Sequence, residues 1–465
     1  MTDIQLPLSV TITDPNIAYR DVLVDLLRGN LDFHDQNSNY AAHNFHAFPA
    51  KFPPQLPRLF IHALTNPGET VLDPMQGSGT TILEAQLSDR QGIGFDIDPL
   101  ALLISQVKTT PLKAVEVLQI SKSISRNAAQ IIYDRPKELL AQLESRWDPE
   151  TQQFIDYWFE PNIQIELMAL YHEIEKVSHP AIQSFFKLVF SAIIITKSGG
   201  VSLALDLAHT RPHRAKLVYS KTGEILEGEE YTLKAVPNLQ HSTKTLRSPL
   251  DEFEKRVGIN VKGLLKPGQV NTRALIIPGN AQALPLPDSS VDLIITSPPY
   301  ASNAIDYMRA HKFSLVWLGY PIDELGGRRG DYIGGETVDN FSYEILPEYS
   351  AGIVAKLATL DKKKGAVLQR YYSEMTRVLR EMYRVLKPGK ASIVVVGTSQ
   401  MRGIDTETQS CLADIGRQIG FEVPGIGVRN LDRNRRMMPA GNRINQESQI
   451  QQRMHHEYVI GFYKP

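Results

Sequence analysis

Two segments of the chain combine residue types able to do chemistry. In IITSPPY, residues 294–300, a β-branched run ends in the hydroxyl of Ser297, two prolines, Pro298 and Pro299, and the phenol of Tyr300. A proline has no backbone N–H and two in succession stiffen the chain, so the pair fixes where neighbouring carbonyls and side chains point. Such rigidity suits a site better than a hinge, although a bare PPY also serves as a strand-ending turn with a surface tyrosine. In VLDPMQGSGTT, residues 71–81, Asp73 leads into a loop whose Gly77 and Gly79 permit positive φ and let backbone N–H groups approach a ligand. GFDID follows at residues 94–98, where Asp96 can accept both ribose hydroxyls of a nucleoside. The lysine of a phosphate loop is missing and the GxGxxG spacing is not met, which favours a nucleoside without a polyphosphate.

These loops act together only if secondary structure brings them to one rim. TVLDP reads as a short strand, the glycine loop follows, ILEAQLSD reads as a helix and QGIGFDID as a second strand, which makes a βαβ unit of about thirty residues. Upstream, the apolar spacing of LPRLFIHAL predicts a helix closed by the turn NPGE. After residue 270 the alternation resumes. RALIIPGNA, KASIVVVG and HEYVIGFYK read as strands, LPDSSVDLIITSPPY as a turn leading into a strand, YYSEMTRVLREMYRVLKPGK as an amphipathic helix, and CLADIGRQIGFEV as a helix plus strand. The expected fold class is α/β, a doubly wound, mostly parallel sheet, with ligands at the carboxyl ends of its strands. DPMQGSGTT and TSPPY both leave such ends, so one shared site is expected.

The division expected is an amino-terminal extension and loop over 1–42, a nucleoside-binding half over 43–104, a mainly helical insertion over 105–270 and a second α/β half over 271–465. The insertion ends in a polar stretch that reads as a loop or small hairpin. Net charge is -1, so any polyanion-binding surface is local rather than global. The candidates are HTRPHRAK with Arg211 and Arg214, GGRRGD, DKKKG, and RNLDRNRRMM with Arg433, Arg435 and Arg436; each also fits a solvated face. No apolar run reaches membrane-span length and the amino terminus lacks a basic-then-apolar leader, so a cytoplasmic protein without membrane contact is expected. The lone Cys411 excludes internal disulfides and a cysteine-rich zinc site. His43 and His46 are spaced three apart but lack a third ligand in view, so loop hydrogen bonding is expected there and no metal. Asp292, just ahead of a strand, reads as a structural turn residue.

Together VLDPMQGSGTT, GFDIDP and TSPPY resemble the S-adenosylmethionine-dependent DNA methyltransferases that modify exocyclic amino groups, the cytosine-N4 and adenine-N6 enzymes. HAFPAKFPPQLP, residues 46–57 with its flanking His43, is similar to the segment those enzymes place ahead of the glycine loop, over the methionine end of the cofactor. The resemblance covers residues 43–105 and about 274–465. It departs from many relatives with SPPY in running the cofactor half before the catalytic half. Circular permutation leaves the sheet intact but puts the subgroup in doubt.

The resemblance implies a Rossmann-like class I fold and a cofactor site. Asp73, Pro74, Gly77, Ser78, Gly79 and Thr80 would lie around the methionyl part, Asp96 at the ribose and Asn280 at the adenine edge. Phe48 and Phe52 would close over it or serve as core aromatics. Ser297 and the Pro298 carbonyl would accept the two amino hydrogens of a flipped base, Pro299 would hold them in place, and Tyr300 would stack on the base. Asp306, Tyr307 and His311 would border the base pocket. It also implies double-stranded DNA as partner and target recognition by the insertion; whether a cognate restriction endonuclease accompanies it, and the oligomeric state, stay open. Serine before PPY leans toward cytosine-N4, and Asp or Asn toward adenine-N6 or an RNA guanine-N2 enzyme. Cytosine-C5 chemistry needs a cysteine nucleophile, commonly after proline, whereas Cys411 follows a serine on a helical pattern. A non-catalytic DNA-binding protein with a worn methyltransferase fold would show damage in one of these loops, and both are whole.

Overall fold

The computed structural model describes residues 18–48, 51–194, 200–205, 214–228, 243–301, 306–431 and 456–465. The chain opens with α1 (Tyr19–Arg28), α2 (Gln55–Leu64), β1 (Thr70–Asp73), α3 (Thr80–Leu87), β2 (Gln91–Asp96) and α4 (Pro99–Thr109). A helical stretch follows: α5 (Ala114–Asp134), α6 (Pro136–Arg146), α7 (Pro149–Trp158), α8 (Pro161–Glu175) and α9 (Pro180–Ile194). Three short strands, β3 (Leu217–Tyr219), β4 (Ile225–Glu227) and β5 (Thr243–Thr245), form a small sheet before α10 (Pro249–Asn260). Next come β6 (Ala274–Pro278), β7 (Val291–Thr296), α11 (Tyr307–Leu315), α12 (Ile322–Arg328), α13 (Glu348–Leu360) and α14 (Lys362–Val385). The chain closes with β8 (Leu386–Val396), the two-residue strands β9 (Gln400–Met401) and β10 (Ile404–Asp405), α15 (Thr408–Ile419), β11 (Glu422–Asn430) and β12 (His456–Lys464).

Among the described residues the main sheet has seven strands in the order β11-β12-β8-β7-β1-β2-β6. β7 pairs in parallel with β1 and β8, and β2 with β1 and β6. Only β12 runs against its neighbours, β8 and β11. The order reverses direction at β1/β7, which is where a doubly wound sheet opens a crevice for ligands.

Strand periodicity explains why both faces are covered. Val71, Leu293, Ile295, Ile393, Val395 and Val459 point to one face, against α1 and α2, while Leu72, Ile294, Val394, Val396 and Ile460 point to the other, against α14 and α15. Strands buried on both sides need continuous apolar runs, which is why VDLIIT lacks a polar alternation. On α14, Tyr371, Tyr372, Met375, Val378, Leu379 and Met382 are fully buried at helical spacing. Each such side chain contributes about 1.5–3 kcal/mol by leaving water.

Three expectations need correction. The first forty residues are not simply an extension and loop, because α1 buries Val22, Leu23 and Leu27 on the sheet. Gly427 permits this approach: a Cβ there would lie 2.7 Å from the Leu27 carbonyl oxygen. The boundary at 104/105 cuts through α4, a continuous helix whose N-cap Asp98 accepts from Leu100 N and Ala101 N. Asp292 lies inside β7 rather than in a turn; it is buried, accepts from Thr70 N at 3.0 Å and pairs with Lys387 at 2.7 Å.

The helical stretch shares a core with the cofactor half. Phe313 of α11 packs against Phe154, Trp158 and Phe159, and Trp317 against Trp147, Phe159 and Phe190, in one cluster with Leu100 and Ile104 of α4. Among the described residues no helix is long and apolar enough to cross a membrane.

Candidate active site

At the carboxyl ends of β1, β2 and β7 the structure has a cleft open to solvent. Its floor is the glycine loop. Gly77 and Gly79 have φ of +48° and +70°, the left-handed conformation that glycine adopts without a Cβ penalty. Two side chains of α4 hold the loop's carbonyls from below: Ser105 Oγ donates to Gly77 O at 3.1 Å and buried Lys108 Nζ to Ser78 O at 2.6 Å. Gly77, Ser78 and Thr80 line the cleft, as do Asp73 and Pro74. Gly79 does not; its missing side chain makes room for Ser105, whose Oγ would lie 2.5 Å from a Cβ.

Three carboxylates converge at this rim. Asp96 accepts from Gly77 N at 2.8 Å and from Asp98 N at 2.9 Å. Burial pushes its carboxyl up to about 7, helped by neighbouring Asp98, and burial pushes Asp73 up to about 6. Burial acts on Asp98 too, but His311, with Nδ1 2.5 Å away, outweighs it and holds Asp98 below the ordinary range. His311 is thus fully buried behind Asp98 rather than facing a base pocket. Tyr307 does line the cleft, stacked on Phe48 with ring centroids 5.4 Å apart. Asp306 caps α11 by accepting from Arg309 N and pairs with Arg309 and Arg329.

Phe48, Phe52 and Asn280 also line the cleft. Phe48 lies over Gly77, within 3.1 Å of where a Cβ would be, and Phe52 is shared with the core on the α1/α2 face. Asn280 spends Oδ1 on Gln282 N, at 2.9 Å, which leaves its Nδ2 as a donor. From β7, Ser297 and Pro299 reach the cleft wall, whereas Pro298 and Tyr300 are not among its lining residues. The Tyr300 hydroxyl donates to Glu457 Oε1 at 2.9 Å.

Sequence reasoning missed several neighbours. Gln76, 4% exposed, lines the cleft, yet neither end of its amide has a protein partner. Lys51 and the segment Asp331-Tyr332-Ile333 line it as well. That segment is fastened by Arg370, which donates to Gly330 O at 2.8 Å and to Thr337 O, and by Glu374, which accepts from Gly334 N at 2.8 Å. Arg370 and Glu374 are buried and paired at 2.9 Å, four apart on α14. A charged pair on an otherwise apolar helix face was the available signal.

The remaining expected residues lie elsewhere. His43 bonds buried Glu84 at 2.6 Å and His46 bonds Ser191 at 2.9 Å. Among the described residues no group of three or more His, Cys, Asp or Glu could hold a metal. Arg214 is compensated within the chain, paired with Glu227 at 2.8 Å and stacked on Tyr157. Arg211, Arg433, Arg435 and Arg436 fall outside the described residues. Cys411 is buried in α15, and burial pushes its thiol up to about 11.

The sheet order, the single antiparallel strand and the glycine loop facing an acidic strand end define a class I, S-adenosylmethionine-dependent methyltransferase. Residues 28–106 match the family model described as DNA methylase, of the N6/N4 type. The chain is 25% identical over 412 residues to the type II methyltransferase M.MvaI of Kocuria varians, covering 83% of each chain. It is 23% identical over 443 residues to M.BsoBI of Geobacillus stearothermophilus, covering 83% of this chain and 80% of that one. M.AvaI of Nostoc sp. is 24% identical over 392 residues, covering 77% and 74%. These likenesses support an exocyclic-amino DNA methyltransferase. S-adenosylmethionine, a sulfonium cation carrying ribose hydroxyls, suits the residues here: acidic groups that burial leaves short of counter-charge, and an orphaned Gln76 amide.

Proposed function

We propose that this enzyme transfers the methyl group of S-adenosylmethionine to the N4 amino group of a flipped cytosine in double-stranded DNA. The observation that carries the reading is that Ser297 and Pro299 line the same cleft as Asp73, Asp96 and the Gly77-Ser78 turn. The cofactor supplies an electrophilic methyl on sulfur. Asp96 would accept from the ribose, Asn280 would donate toward the adenine edge, and Phe48 with the glycine loop would enclose the methionyl part.

An exocyclic amine is a poor nucleophile because its lone pair is delocalised into the ring. Ser297 Oγ and the Pro298 carbonyl offer two acceptors for its hydrogens, favouring a pyramidal nitrogen aimed at the methyl group. Pro299 has no N–H to compete for that carbonyl's surroundings and keeps the loop rigid. Tyr300 would stack on the base once it leaves the helix. The lone thiol supports this non-covalent route, since Cys411 is buried on the α15 side of the sheet with Sγ directed at Thr406 O. Serine ahead of PPY supports cytosine over adenine as the target. The helices of 105–270 and the arginine-rich stretch around Arg433 are the elements proposed to read and grip the duplex.

The test is incubation with methyl-labelled S-adenosylmethionine and mixed-sequence duplex DNA, then nuclease digestion and mass spectrometry. N4-methylcytosine is expected. N6-methyladenine instead would keep the mechanism and change the base, and label in neither would overturn the assignment.

A further inference from the structure

Tyr300 is tied to a part of the sheet far from it in sequence. β12 runs opposite to the parallel strands, so its first residues arrive at the rim where β7 ends. Glu457, the second residue of β12, accepts the Tyr300 hydroxyl at 2.9 Å and forms an ion pair with Arg429. Arg429 stands directly opposite Glu457 in the β11–β12 ladder. The pair is nearly out of solvent, with side chains 8% and 12% exposed. A buried ion pair adds little net stability over an apolar pair of similar volume, so the pair at this rim is open to a use beyond stability. The phenol supplies it: a carboxylate paired with an arginine is a strong, directional acceptor.

We propose that Glu457 is a positioning residue for Tyr300, with Arg429 holding Glu457 in turn. A tyrosine that must receive a base on its ring face gains from having its free torsions fixed beforehand, because the ordering cost is then met by the folded protein rather than during base capture. The Tyr300–Glu457 bond fixes the hydroxyl end of a ring that also packs against the core beside Pro299, which lines the cleft. The inference rests on the reading that Tyr300 stacks on the extruded base.

The test uses the full chain and an unmethylated DNA duplex that the parent chain methylates, with Tyr300→Phe, Glu457→Ala, Glu457→Gln and the double variant Tyr300→Phe/Glu457→Ala. Single-turnover methyl transfer, base extrusion reported by a fluorescent cytosine analogue at the target, and calorimetric affinity for S-adenosylmethionine are measured together. Tyr300→Phe and Glu457→Ala should each slow transfer and extrusion on the order of tenfold, with cofactor affinity within about twofold of the parent. The double variant should be no slower than either single one, and Glu457→Gln, whose amide oxygen still accepts from the phenol, should recover part of the loss. Additive losses in the double variant, or unchanged transfer in Tyr300→Phe, would overturn the inference alone. No transfer to DNA by the parent chain would overturn it together with the proposed function.

Discussion

The backbone N–H of Gly77 donates to Asp96 across 2.8 Å, joining the glycine loop to the end of β2. One carboxylate thereby shapes the floor of the cleft and presents its remaining lone pairs to it. The bond also makes the loop's conformation depend on the residue expected to meet the ribose, so cofactor binding and loop order are linked.

That link has a pH dependence. Burial raises Asp96 to about 7 and Asp73 to about 6, so both carboxyls hold their protons to higher pH in the folded protein than in the unfolded chain. Their contribution to stability is fully present below the unfolded value near 3.8 and is lost as pH rises through 6 to 7. A bound cation with hydroxyl donors favours the ionised forms. Affinity for S-adenosylmethionine should therefore increase from pH 5 to pH 8, and the thermal shift it produces should be larger at pH 8. A shift of equal size at both pH values would refute the linkage.

Asp96→Asn should remove most of that pH dependence and weaken cofactor binding by about tenfold, the value of one hydrogen bond to a charged group. Calorimetry across the same pH range decides it. An unaltered dissociation constant would remove Asp96 from the ribose site.

Ser297→Ala should leave cofactor affinity near normal while methyl transfer drops by a factor on the order of 10² or more. The two readouts separate an acceptor for the amine from a wall of the cofactor site. Unchanged turnover would end the acceptor role.

Arg370→Met should release the 330–337 segment from α14 and leave Glu374 buried without its partner. We expect a loss of about 3–5 kcal/mol in denaturant unfolding. At a temperature where the variant is still folded, cofactor affinity should also decline, because Tyr332 and Ile333 line the cleft. A variant as stable as the parent would show that Arg370 does not hold the segment.

Gly79→Ala places a methyl group against Ser105 at a φ of +70°. The left-handed conformation alone costs about 1–2 kcal/mol, so the melting temperature should fall measurably even without ligand. Cofactor affinity should fall with it, since Ser105 would no longer brace the Gly77 carbonyl.

By itself the sequence determined what depends on local order along the chain. The β-branched runs ahead of DPMQGSGTT and SPPY, the glycines of the loop and the alternation of strands with helices are short-range patterns. They sufficed to place Asp73, Asp96 and Ser297 on one rim, because parallel strands send all their carboxyl ends to the same side. Only the tertiary structure decided which side chains close that rim. Tyr300 and Glu457 are 157 residues apart, and Arg370 reaches Gly330 across 40. Neither pair leaves a periodic trace, since each partner sits in an element whose pattern is satisfied without the other. The same holds for α1, whose apolar face is readable but whose docking on β11 and β12 needs glycines four hundred residues away. Periodicity records which face of an element is buried; what lies across from that face is set by the packing of the whole chain.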